Sequence, residues 1–196
     1  MGDSEFREFN KIPRLNRDCI ITEKIDGTNA QIFIDETGLV LRAGSRSRWI
    51  TPTEDNHGFA KWVEEHREEL LKLGPGRHFG EWWGFGINRG YGLTKGDKRF
   101  SLFNTSRWKT ICSDAEGLTP LPGCCGVVPI LYSGPFTTNA VENAVAELRA
   151  TGSVAAPGFM KPEGVVVYHV HGNCMFKVTL ENDEIPKSVL DKQRKV

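Results

Sequence analysis

"CIITEKIDGTNAQIFID", residues 19–35, sets a lysine, two acids and a glycine between two apolar stretches. Cys19, Ile20 and Ile21 lead in, and Ala30, Ile32 and Ile34 lead out with the two-residue period of a half-buried strand. Between them stand Glu23, Lys24, Asp26, Gly27, Thr28 and Asn29. A lysine amine is protonated near neutral pH and cannot then attack an electrophile. Burial and nearby cations penalise the ammonium form, so a lysine at the mouth of apolar strands is a candidate nucleophile. Gly27 lets the backbone turn sharply beside a ligand, and Asp26 can pair with a partner or orient it. The same residues also describe a hairpin with an exposed lysine, and on their own they do not separate the two readings.

The rest of the chain supplies a core. It has 196 residues, 39% of them hydrophobic, with 11 Phe and 5 Trp, enough for one substantial domain. Lys plus Arg equals Asp plus Glu at 25 each, so net charge neither favours nor excludes a nucleic-acid partner. No apolar run approaches the roughly 18 residues of a membrane span. The opening MGDSEFREF is charged, lacks the apolar segment of a signal peptide, and has Phe6 where a myristoylation pattern needs Ser or Thr. Five cysteines, an odd number with no CxxC pair, suit a reducing, cytoplasmic setting. His169 and His171 alternate onto one strand face with Cys174 close behind, but a fourth ligand is missing, and they read as two surface histidines.

Outward from the opening stretch, Thr37-Gly38 reads as a turn and "LVLRAG" as a returning strand. "HGFAKWVEEHREELLKL" has helical spacing at Phe59, Trp62, Val63, His66, Leu70 and Leu73, with Asn56 as N-cap and Gly74-Pro75-Gly76 as stop. "RHFGEWW" and "KRFSLFNT" read as strands around the glycine-rich "GFGINRGYG". That segment departs from the GxGxxG spacing and opens no helix, so it reads as a flexible loop beside the site. Residues 112–126 look like a turn-rich excursion, and Pro129 makes "VVPILY" an edge or bulged strand. Thr138 or Asn139 caps a helix closed by Gly152. "EGVVVYHV" and "CMFKVTL" flank a hairpin turn at His171-Gly172-Asn173, and the last residues, "IPKSVLDKQRKV", read as a frayed helix. The sum is a strand-rich α+β fold in one domain, residues 1–196, with helices inserted between strands.

"EKIDGTNA" resembles the nucleotidyl-lysine motif, lysine-x-aspartate-glycine, of the covalent nucleotidyltransferases: RNA ligases, DNA ligases and mRNA capping enzymes. Further segments resemble the other motifs of that superfamily in order. "SRSRW" is similar to its arginine segment, "FGEWWG" to its acidic third motif and "RFSLFN" to the aromatic segment after it. "PEGVVVY" is similar to the fourth motif and "MFKVTL" to the terminal lysine motif. Glutamate before the lysine and threonine-asparagine after the glycine look most like the branch related to phage RNA ligase 2. The resemblance implies a nucleotidyltransferase domain, ATP-grasp-like, of antiparallel sheets with inserted helices.

It also implies roles. Lys24 would attack the α-phosphate of ATP to give a lysyl-adenylate. AMP would pass to an RNA 5′-phosphate, and a 3′-hydroxyl would displace it. Glu23, Ile25 and Asn29 would line the nucleotide, and Arg46 would clamp phosphate through its planar fork, with Arg48 as rival. Phe103 would stack on adenine, although without the motif a Phe in an apolar strand reads as core. Glu81 and Glu163 would bind Mg²⁺ or Mn²⁺ or the ribose, as suits hard oxygen ligands. Glu163 alone could equally be a strand-entry residue, whereas Glu81 between glycine and two tryptophans needs a partner. Lys177 would neutralise charge on the α-phosphate and hold down the pKa of Lys24.

Two departures bear on these expectations. Many relatives carry two lysines, one residue apart, in the last motif, and here the pair is Lys177 and Thr179. Only 17 residues follow Thr179, too few for a C-terminal OB-fold or other accessory domain, which a partner protein could supply. A DNA ligase or capping-type domain, or a module that binds nucleotide or RNA without sealing, are the alternatives.

Overall fold

Strands β1 (Asp18–Lys24) and β2 (Thr28–Ile34) flank the lysine segment but do not pair with each other. In the computed structural model, which describes residues 6, 8, 9, 11–109, 119–181, 183 and 184, they belong to different sheets. The remaining elements are β3 (Leu41–Ser45), β4 (Trp49–Ile50), α1 (Phe59–Glu65), α2 (Arg67–Leu70), β5 (Gly76–Gly84), β6 (Lys98–Leu102) and β7 (Trp108–Lys109). There follow β8 (Thr119–Pro120), β9 (Cys125–Val127), β10 (Ile130–Pro135), α3 (Thr138–Thr151), β11 (Gly164–His169) and β12 (Cys174–Thr179). A six-stranded sheet runs β4-β3-β2-β5-β6-β9, a four-stranded sheet runs β10-β1-β11-β12, and β7 pairs with β8. The main sheets are antiparallel except where β9 lies parallel to β6.

Each main sheet buries one face under its own helices. Ala30, Ile32 and Ile34 of β2 point, with Trp82, Phe100 and Leu102, into a core closed by Phe59, Ala60, Val63, Leu70 and Leu73. Its centre is aromatic: the Phe59 ring lies 5.3 Å from Trp82 and 5.1 Å from Phe100. Cys19 and Ile21 of β1 pack with Val165 and Val167 against Ala140, Ala144 and Leu148 of α3. A third cluster of Ile25, Trp83, Tyr91, Val128 and Ala156 joins the two halves. The chain crosses between the sheets at Ile25–Gly27 and again at Val128-Pro129, between β9 and β10. Pro129 precedes β10, its carbonyl accepting from Glu23 N–H at 2.9 Å where its missing N–H is not called on, and β10 is an edge strand.

Several local expectations need correction. The first helix is not capped by Asn56; the Asp55 carboxylate accepts from Ala60 N–H (2.8 Å) and Lys61 N–H (3.1 Å), while Asn56 donates to the Thr28 hydroxyl. That helix also breaks at His66, whose ring nitrogen turns onto the Trp62 carbonyl at 2.9 Å. Thr137, not Thr138 or Asn139, caps α3 and accepts from Ala140 N–H at 3.0 Å. His169 is buried, its ring placed between the Leu15 carbonyl and the Gly172 N–H, so it is no surface residue. The glycine-rich loop is anchored rather than flexible, with Ile87 and Tyr91 both buried. Cys112 and the expected C-terminal helix from Ile185 lie outside the described residues.

Gly164 marks where β11 approaches β12 most tightly. A Cβ there would sit 2.1 Å from the Val178 carbonyl oxygen and 2.8 Å from Thr179 Cα, at a φ of 156°. The ladder holds both backbones, so neither can give way. Gly164→Ala should therefore cost about 3 kcal/mol. Gly38→Ala, at φ +71° with nothing within 4 Å, should cost about 1–2 kcal/mol from backbone strain alone. Calorimetric unfolding of the two variants checks the contrast; equal losses would show that the close approach does not constrain the fold.

Candidate active site

At the first crossing, the backbone is pinned by side chains from β5 and the glycine-rich loop. Asp26 N–H donates to the Tyr91 hydroxyl at 2.8 Å, and Gly27 N–H donates to Glu81 at 3.0 Å. Asn88 donates to the Gly27 carbonyl and to Asp26 Oδ1, and Arg89 pairs with Asp26 Oδ2 at 3.2 Å. The same Arg89 reaches the Lys161 carbonyl at 3.0 Å, tying the segment before β11 to the crossing. Gly27 fits because a Cβ would lie 2.4 Å from the Trp82 carbonyl oxygen.

Lys24, the last residue of β1, emerges from this frame half-buried, with its Nζ 2.5 Å from Glu163 Oε2. Residues paired across strands share a face, as do alternate residues along one. Lys24 pairs with Gly164, and Thr22, Val166 and Lys177 form the adjacent row, so Lys24 and Lys177 look out from the same side of the four-stranded sheet. Lys177 is exposed. Thr179 does not substitute for a second lysine: its hydroxyl lies 3.0 Å from the Glu181 carbonyl and 3.1 Å from Asp183.

Glu81 faces Lys24 and Glu163 from the six-stranded sheet. It is buried, with one oxygen on Gly27 N–H and the other accepting from Asn29 at 2.9 Å. Burial pushes its carboxyl up to about 7; the Gly27 hydrogen bond, Lys24 and Asn29 pull it down, and Glu163 adds to the rise. Asn29 is exposed beside it. Arg46 is exposed in the turn after β3, one residue beyond the Ala30–Ser45 pair, whereas Arg48 turns away to Glu54 at 3.5 Å. Phe103 follows β6 directly, is 41% exposed and so is not core, and donates its N–H to Phe79, which places it on the Glu81 side of the sheet.

Two residues expected to line the nucleotide have buried side chains. Glu23 points inward with Cys19 and Ile21, is only 1% exposed, and accepts from Ser153 Oγ (2.6 Å), Val154 N–H (2.8 Å) and Ala155 N–H (2.9 Å). Both its carboxylate oxygens are satisfied by protein, so this side chain anchors the end of β1. The Ile25 side chain is buried in the joining cluster. Sequence reading missed Asn88, Arg89, Tyr91 and Ser153. Glu23 carried a signal, because an acid at the inward position after Cys19 and Ile21 requires a buried partner.

Among the described residues, no group of three or more His, Cys, Asp or Glu could cage a metal ion. Glu81 and Glu163 are the carboxylates nearest Lys24, hard oxygen donors of the kind Mg²⁺ takes, with both Glu81 oxygens on Gly27 N–H and Asn29 and one Glu163 oxygen on Lys24. Cavities of about 370 and 350 Å³ lie along α1 and β3 and beside Cys124 and Trp83, away from Lys24. The site is instead the open junction of the two sheets.

The RNA ligase family matches residues 17–179, which include every one of these side chains. This chain belongs to the RNA ligase family. Solved structures of Naegleria gruberi RNA ligase share the fold. A variant with ATP and Mn gives a TM-score of 0.57 at 18% identity, covering 92% of this chain and 53% of the other. Another with ATP and Mn gives 0.54 at 20% identity (93% and 53%), and one with AMP and Mn gives 0.56 at 18% identity (93% and 53%). The chain thus spans about half the length of these solved relatives. No curated protein matches it.

The raised carboxyl of Glu81 has a measurable consequence. A group whose pKa rises on folding binds more protons in the folded state, so its ionisation removes stability as pH climbs from 4.5 towards about 7. Glu81→Gln cannot ionise and gives up one acceptor, a cost that does not vary with pH. Relative to wild type, the variant should gain up to about 3 kcal/mol between about pH 5 and about pH 8. Melting temperatures of the pair across that range provide the check. Parallel curves would mean that burial does not set the Glu81 carboxyl.

Proposed function

We propose that this RNA ligase family member is an ATP-dependent enzyme that carries AMP on Lys24 and uses it to join RNA ends. The observation that carries the reading is Lys24 in contact with Glu163, with Glu81 close enough to feel both charges. The lysine amine attacks the α-phosphorus of ATP; a P–N bond forms and the bond to pyrophosphate breaks. An RNA 5′-phosphate oxygen then displaces the lysine, which recovers its amine, and a 3′-hydroxyl finally displaces AMP to close the phosphodiester. That the solved Naegleria gruberi structures carry ATP and Mn or AMP and Mn supports this donor and a divalent ion.

The roles follow the geometry. Glu163 holds the Lys24 ammonium in place and is the nearest base to take its proton. Asp26, clamped by Arg89, fixes the backbone from which the lysine projects. Lys177, on the same sheet face, meets charge on the phosphate undergoing attack. Phe103 offers an exposed ring to the adenine and Arg46 a guanidinium to phosphate. Glu81 and Glu163 would hold Mg²⁺ or Mn²⁺, which would neutralise phosphate charge. With Thr179 hydrogen-bonded locally, Lys177 carries the last motif's charge alone, which supports a second reading: nucleotidyl transfer with poor sealing.

Incubation with labelled ATP and then with nicked RNA or nicked DNA separates these readings. Wild type should take up AMP and join RNA, and Lys24→Ala should do neither. Glu81→Gln or Glu163→Gln should slow AMP uptake at least about tenfold, a loss of about 1.4 kcal/mol of transition-state stabilisation. Uptake without joining would favour the second reading; preference for nicked DNA would replace RNA as the acceptor. AMP uptake by Lys24→Ala would overturn the assignment.

A further inference from the structure

Away from Lys24, the open face of the six-stranded sheet bears aromatic and arginine side chains that adenylylation does not use. Phe33 pairs with Arg42 on one side and Arg77 on the other; Gln31 pairs with Phe79 and with Gly44, which in turn pairs with Trp49. Paired residues share a face, so these six large side chains form two rows on the side of the sheet that bears Asn29 and Glu81. The opposite face is the one buried under α1 and α2. On this one, Trp49 is 40% and Phe79 51% exposed.

The group is built rather than scattered. The Arg77 guanidinium lies 5.1 Å from the Phe33 ring and 5.2 Å from Trp49, and donates to Gln31 at 3.1 Å. Phe33 and Trp49 themselves are 6.1 Å apart. Gly44 lets Gln31 and Trp49 close together over it, for a Cβ there would lie 2.7 Å from the Gln31 side chain and 3.1 Å from the Trp49 ring. In a chain of zero net charge, Arg42 and Arg77 stand on this face of the paired strands, while Arg99 is paired with Asp97 at 3.3 Å and Glu81 is buried. Rings that accept the face of any base, interleaved with fixed cations for phosphates, are what unpaired nucleic acid binds.

We propose that this face is a stacking platform for a single-stranded RNA segment, which lies over Trp49, Phe33 and Phe79 with its phosphates along Arg42 and Arg77 and leads to the site at Glu81. The two rows lie about 7 and about 13 Å along the strands from the Asn29–Glu81 pair, at the usual rise per residue. The proposal rests on the reading of the chain as an RNA-joining enzyme, but it predicts binding, which is measured apart from chemistry.

The test titrates a short unstructured RNA, followed by fluorescence anisotropy, into wild type, Trp49→Ala, Arg77→Ala and Trp49→Phe. Each alanine variant should bind roughly tenfold more weakly, and Trp49→Phe about as well as wild type, since a ring remains. RNA should quench tryptophan emission in wild type, and that change should largely disappear in Trp49→Phe. AMP uptake from labelled ATP should stay within about twofold in all of them. Failure of AMP uptake in wild type would count against the proposed function and leave the binding result to be read separately. Unchanged RNA affinity in both alanine variants, absent binding by wild type, or a change in sedimentation instead of RNA affinity would overturn the platform; the last would assign the face to a second copy of the chain.

Discussion

Three residues, Ile25, Asp26 and Gly27, carry the chain from one sheet to the other, and the site exists because they are held. A crossing this short cannot form a ladder of its own, so its polar groups must be met from outside. Tyr91, Glu81 and Asn88 meet the backbone, and Arg89 meets the Asp26 carboxylate. Each such bond is worth about 0.5–1.5 kcal/mol net, but a buried group left without one costs more. The glycine-rich loop is therefore structural, and Lys24 projects from a backbone with little freedom to shift.

The two halves do not share this task equally. Each sheet is stabilised mainly by its own helix-covered core, around Phe59 and Trp82 in one and around α3 in the other. The smaller cluster at Ile25 and Trp83 joins them, leaving their junction open and polar beyond it. Lys24, Glu163 and Lys177 come from one sheet and Glu81, Asn29 and Phe103 from the other. The two lysines thus stand on one sheet and a carboxylate, an amide and an exposed ring face them from the other, an arrangement that neither half assembles alone. Burial at this junction also raises the Glu81 carboxyl.

Much of this was legible in the sequence, and the exceptions are instructive. The alternation at Ala30, Ile32 and Ile34 describes β2 correctly because one face meets a core. The turn at His171-Gly172-Asn173 also forms as read, with Asn173 at a φ of 45°. Period, however, says nothing about which sheet a strand joins, and the hairpin suggested around Lys24 is a crossing instead. The resemblance sets Glu23 beside the nucleotide, while alternation turns its side chain to the opposite face from Lys24, towards Ser153. Asn88 and Arg89 act from a segment distant in sequence, and no local pattern announces a partner that only folding brings near.

Lys24, held against Glu163, is the residue proposed to accept AMP covalently. Peptide mapping by mass spectrometry after incubation with ATP and Mg²⁺ or Mn²⁺ tests this assignment directly. One AMP should be found on the peptide containing Lys24, with every other lysine unmodified. AMP on Lys177 or another side chain, or none on a folded protein, would contradict it.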